Sequence, residues 1–122
     1  MAFFSKQKAE YHFVWRTENR NMIIYNITTL VSWPVHEIWK EWLMEEYLPQ
    51  IMNTQLFSHH QVVRLMEVNE EEGPTYAVQL YLNSVADFNS YKEKHLRKFQ
   101  QKEKDAWGDY ATSFASLMEV IN

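Results

Sequence analysis

"QVVRLMEVNEEEGPTYAVQLYL", residues 61–82, decides the architecture of this chain. Two runs rich in β-branched and aromatic side chains, QVVRLMEV at 61–68 and PTYAVQLYL at 74–82, flank the polar NEEEG. Such runs suit a pleated, half-buried surface, and a short polar segment between them reads as a hairpin loop. The two strands are therefore expected to pair antiparallel.

Outward from this hairpin, MIIYNITTLV at 22–31 lacks Gly and Pro and reads as another strand. Ser32 can cap a following helix whose first turn holds Pro34, where a missing N–H costs little. At about 100° per residue, Val35, Ile38, Trp39, Trp42 and Leu43 share one core-facing stripe of that helix. Pro49 disfavours helical geometry at Leu48 and removes the bond to the Glu45 carbonyl. Helix one is thus expected to stop near Tyr47, with LPQIMNT as a separate short turn. On the other side of the hairpin, Ser84 with Asp87 three residues later opens a long helix two, which Gly108 is placed to end. Its apolar stripe is Phe88, Tyr91, Leu96, Phe99 and Ala106, and FASLMEVI at 114–121 reads as the last strand.

The order strand, helix, strand, strand, helix, strand is the split pattern of an α+β, ferredoxin-like βαββαβ fold. Two helices should cover one face of a four-stranded antiparallel sheet. The other face would be open, yet strand two carries Val62, Met66 and Val68 on one side and Val63 and Leu65 on the other. A sheet apolar on both faces calls for a second layer, most simply another copy of itself, so a homodimer is expected.

Composition narrows the function. At 122 residues the chain has the size of one domain, and 46% hydrophobic with 16% aromatic residues leaves ample apolar surface to offset the entropy of ordering. A net charge of −4 argues against nucleic acid as a general partner, because a duplex binder must neutralise phosphates. The absence of cysteine excludes disulfides, thiolate metal sites and thiol nucleophiles. No apolar run approaches the ~20 residues that span a bilayer, and MAFFSKQKAE lacks the apolar centre of a signal peptide, so no membrane partner and a cytoplasmic location are the default expectations. Residues 1–21 hold four Lys/Arg against two Asp/Glu, whereas the remainder holds eight against fourteen. That change of sign makes Met22 a candidate natural start, with residues 1–21 an N-terminal extension and residues 22–122 the folded domain; the alternative is an arm that docks through YHFVW at 11–15.

With this order of elements in place, residues 22–121 resemble a bacterial family known as domain of unknown function 4286. The resemblance is carried by MIIYNIT, EEYLPQIMNTQLFS, VVRLMEV with its acidic loop, TYAVQLYL, YKEKHLRKFQQKE and SFASLMEV. It implies a ferredoxin-like domain of the dimeric α+β barrel type, in which the gap between helices and sheet often holds a small molecule, and it implies no reaction. Where the family typically has His-Ile-Pro this chain has Tyr47, Leu48 and Pro49, and the family's Glu-His pair of helix two stands here as Lys94 and His95.

Candidate chemistry centres on His95, near the middle of helix two's apolar stripe. An imidazole there either finds a hydrogen-bond partner as a core residue or, with a lowered pKa, serves as a catalytic acid or base. Glu46 falls inside the stripe of Trp39 and Trp42, where its carboxylate would pair with Arg64 or a protonated His95, unless the break at Pro49 turns it into solvent. Asn26, Arg64, Gln79 and Tyr81 are polar residues in apolar strands that either line a cavity or satisfy one another across a dimer. Together with Trp39, Trp42, Glu46 and Tyr47 they form the expected ligand-binding set, around an enclosed void of a few hundred Å³ touching His95 and Trp42. His36 is expected at the edge of helix one's stripe, exposed or at the boundary. No metal site is expected, because adjacent His59 and His60 point to opposite faces of an extended segment. The Lys92, Lys94, Arg97, Lys98, Lys102 and Lys104 series is interleaved with Glu93, Glu103 and Asp105 and reads as a solvated face. Gly73 and Gly108, the only glycines, form no phosphate loop, and no cofactor is called for. Two functions remain: a homodimer binding a small apolar or aromatic molecule, and a non-catalytic dimerisation or protein-interaction module.

Overall fold

The computed structural model describes residues 21–122. The expected extension, residues 1–21, lies outside the described residues except for Asn21, as does YHFVW. Strand β1 (Ile23–Val31) leads through a 3-10 turn (Trp33–Val35) into α1 (His36–Trp42), a π turn (Leu43–Tyr47) and α2 (Leu48–Met52). The hairpin follows as β2 (His59–Arg64) and β3 (Thr75–Leu82). A second helical rod then runs through α3 (Val85–Tyr91), a π turn (Lys92–Leu96) and α4 (Arg97–Trp107), and a 3-10 turn (Gly108–Tyr110) leads into β4 (Ala111–Glu119). The strands lie in the order β2-β3-β1-β4, all antiparallel, as the ferredoxin-like reading requires.

Alternation along β1 turns Ile23, Tyr25 and Val31 towards the helices, and the register sets Ile23 opposite Leu82 and Tyr25 opposite Leu80 of β3. Trp39, Leu43, Leu48 and Ile51 of the first rod and Tyr91 and Phe99 of the second close over this face. The core sits between the rods and the sheet. Ser84 Oγ accepts from the Asp87 backbone N–H at 3.1 Å and so starts the second rod. Ser84→Ala should lower stability by about 1 kcal/mol in chemical denaturation, because that N–H loses its partner.

Pro49 does not stop the first rod. The Leu48 N–H reaches the Leu43 carbonyl five residues back, and this wider turn just ahead of Pro49 lets the helix continue to Met52. The extra residue also rotates the inward face, so that Tyr47 and Leu48 are buried while Glu46 is exposed. Ile38, expected inward, is 63% exposed because the buried stripe centres on His36, Trp39 and Leu43. His36 is itself buried, its Nε2 hydrogen-bonded to the Tyr76 hydroxyl and its ring stacked on Tyr76 at 5.7 Å. Burial lowers its pKa. The second π turn acts in the same way: Trp107, not Ala106, packs against the core. Strand β2 ends at Arg64, short of the expected Val68, as the chain takes a positive φ of 58° at Glu67 and leaves Met66 83% exposed.

Candidate functional site

The helix-facing positions of the edge strand β4 include Ala111, Ser113 and Ala115, set by register opposite Val31, Thr29 and Ile27. These side chains are too short to fill the space beneath the second rod. They leave a cavity of about 360 Å³ between β1, β4 and α4. Tyr25 and Ile27 form its floor, Tyr47 of the first rod and Tyr91 and Phe99 of the second its walls, and the turn at Gly108 and Asp109 its rim. Tyr47 is held by a hydrogen bond from its hydroxyl to the Phe99 carbonyl at 2.9 Å, and its ring meets Phe99 edge-on at 5.8 Å. Trp42 stacks on Tyr47 at 4.4 Å and meets Trp107 edge-on, so aromatic packing fixes this wall.

Glu103 is the one carboxylate of α4 carried to this cavity. Ser113 Oγ donates to its Oε2 at 2.7 Å, and Thr29 Oγ1 lies 2.7 Å from the same Ser113 oxygen. The result is a short polar relay across β1, β4 and α4. Burial raises the Glu103 pKa, against the opposing effect of the Ser113 hydrogen bond. Burial also pushes the Tyr25 and Tyr91 hydroxyls up from the ordinary phenol value. The arrangement offers an aromatic bed with Glu103 and the Ser113 hydroxyl bonded to each other at its side and the charged Lys104 and Asp109 at its rim. It can hold a small molecule and exchange a proton or hydrogen bond with it at Glu103.

A family model described as "Domain of unknown function (DUF4286)" matches residues 22–121, from the edge of β1 to just past the end of β4. The chain belongs to the DUF4286 family. The DUF4286 domain also resembles a crystal structure of a dimeric ferredoxin-like protein from an uncultured marine organism. The TM-score is 0.57 at 13% identity, over 84% of this chain and 98% of that one, which is a likeness of fold. No curated protein matches the chain. Among the described residues of the domain, no helix is long and apolar enough to cross a membrane.

Within the DUF4286 domain the expected site residues separate into four places. Tyr47 lines the cavity. Trp42 stands behind it, and Trp39 is deep core, 1% exposed and stacked on Tyr76 at 5.3 Å. Glu46 is in solvent, displaced by the first π turn. Arg64, at the end of β2, is tied to Glu70 of the acidic loop by two hydrogen bonds of 2.8 and 3.2 Å, and is not brought to the cavity. Asn26, Gln79 and Tyr81 lie on the opposite, outer face of the sheet. His95 is half-buried over the Tyr91 ring at 5.9 Å and does not reach the cavity. The expected void touching His95 and Trp42 is thus displaced towards β4, since the centre of the helix-sheet gap is filled by Trp39, Leu43, Leu48 and Ile51.

Glu103, placed by sequence on a solvated face, is the main residue missed. The signal was present: it stands four residues after Phe99, about 40° away on a helical wheel. Its raised pKa carries a testable sign. The folded state holds the Glu103 proton to a higher pH than the unfolded chain, so this group's contribution is present below the usual value near 4.5 and is lost as pH rises through its folded pKa. Denaturation midpoints of the native chain and Glu103→Gln should converge in acid, with the variant gaining relative stability as pH rises.

Proposed function

We propose that the DUF4286 domain acts as a homodimer whose protomers each hold a small apolar or aromatic molecule between α4 and the sheet. The observation that carries the binding site is the cavity walled by Tyr25, Tyr47, Tyr91 and Phe99, with Glu103 and Ser113 at its side. A pocket of this size that combines aromatic rings with polar groups suits a compact ligand. His95, stacked over Tyr91, supports the wall in this reading, and any catalytic proton transfer falls to Glu103, which lines the cavity.

The dimer rests on the outer sheet face. The register aligns Gln61, Gln79, Asn26 and Ser116 in one row across all four strands. Val63, Ala77, Thr28 and Phe114 form the row on one side of it, and His59, Tyr81, Ile24 and Met118 the row on the other. Asn26 is 8% exposed, its Oδ1 without a partner among the described residues, and Phe114 is 66% exposed. A twofold-related copy would cover the apolar rows and offer amides to that oxygen. The neighbouring fold belongs to a protein described as dimeric, which supports the same assembly here.

Native mass spectrometry, before and after dissociation of the protomers, tests both parts. A dimer carrying an additional small mass is the expected result; a bare monomer at micromolar concentration overturns the assembly. Phe114→Glu should shift the native chain towards monomer in sedimentation, because it sets a charge into the covered row, while leaving the fold unchanged. His95→Phe should leave ligand retention intact, since an aromatic ring over Tyr91 is kept.

A further inference from the structure

Three independent features of the cavity favour positive charge. Its half-buried carboxylate, Glu103, receives Ser113 on Oε2, and among the described residues Oε1 has no hydrogen-bond partner. Its lining includes the aromatic rings of Tyr25, Tyr47, Tyr91 and Phe99, a ring type that attracts cations, as Lys98 over Phe99 at 5.2 Å illustrates. Its rim is the end of α4: Gly108 and Asp109 follow the last helical turn, the negative end of the helix dipole. Lys104 is the opposing charge at the rim, exposed and accompanied by Asp109. An anionic ligand would sit beside Glu103 with only the exposed Lys104 to offset the repulsion, and a neutral hydrocarbon would leave that carboxylate desolvated and only partly bonded.

Resting on the pocket proposed above, we infer that the ligand is a small organic cation, an arylalkyl- or alkylammonium compound. Its N–H donates to Glu103, and its carbon skeleton lies against Tyr25, Tyr47 and Tyr91. The ammonium and carboxylate form a charge-assisted hydrogen bond in a site partly shielded from water, and the rings add attraction for the adjacent positive carbon atoms.

The test titrates the full chain with three probes of one shape, benzylammonium, benzyl alcohol and benzoate, following backbone amide shifts of Glu103, Gly108 and Ser113 by NMR. Benzylammonium should bind about tenfold tighter than benzyl alcohol, with benzoate weakest. Glu103→Gln should reduce the difference between the first two probes to about twofold or less while keeping the native amide spectrum. Equal affinity for amine and alcohol in the native chain would overturn the cation assignment and leave the pocket standing. So would a preference that survives Glu103→Gln. If none of the three probes moves these amides, the pocket itself is refuted and the inference falls with it. The probe series is read on the native chain, so the comparison of amine with alcohol holds whether or not the variant folds.

Discussion

Gly73→Ala is expected to lower the folding free energy by about 3 kcal/mol or more, among the largest effects of any single methyl group in this chain. A Cβ at this position would stand 1.7 Å from the Val31 carbonyl oxygen and 2.7 Å from its carbon. Both are backbone atoms of β1, so no side chain can swing aside. The only relief is to lift the acidic loop from the end of β1, where Val31 N–H donates to Pro74 O at 3.0 Å and Trp33 N–H to Glu72 O at 3.2 Å. The loss therefore includes hydrogen bonds as well as packing. Urea denaturation provides the measurement, and a midpoint near that of the native chain would show that the loop is not seated on β1 as described. Gly108 is the comparison: a Cβ there meets nothing within 4 Å, and only its φ of 54° resists substitution, so Gly108→Ala should cost about 1–2 kcal/mol.

Trp39→Ala should cost about 3–5 kcal/mol, because a fully buried indole leaves a cavity that the surrounding rods cannot close. Trp39→Phe separates packing from polarity. The indole N–H is buried without a partner among the described residues, so its removal relieves a desolvation cost while much of the stacking on Tyr76 is kept. The phenylalanine variant should lose well under half of what alanine loses. Neither substitution touches the cavity lining, so Trp39→Phe should bind benzylammonium with unchanged affinity. A folded Trp39→Phe variant that loses binding would return Trp39 to the ligand-binding set in which its sequence neighbourhood placed it.

Trp39 shows why the candidate site was only partly legible. On a helical wheel Trp39, Trp42 and Glu46 are indistinguishable as inward-facing residues, yet they end as core, as backing for Tyr47, and in solvent. Trp39 and Trp42 already stand about 60° apart on α1, and the extra residue of the π turn that follows, before Pro49, carries Glu46 away from both. The polar strand residues divided for another reason: Asn26 and Gln79 point away from the helices by simple alternation, and Arg64 is captured by Glu70, a loop partner that no strand pattern specifies.

The order of elements, the antiparallel hairpin, the cap at Ser84 and the stop at Gly108, hence the ferredoxin-like sheet, could all be read from the residues in line. Each rests on periodicity or backbone preference acting over a few neighbouring positions. The π turns, the burial of His36 and the cavity at Glu103 emerged only when the rods met the sheet. That cavity exists because three small residues of β4 meet the underside of α4, and a gap between segments distant in the chain is a property of their packing, not of either segment.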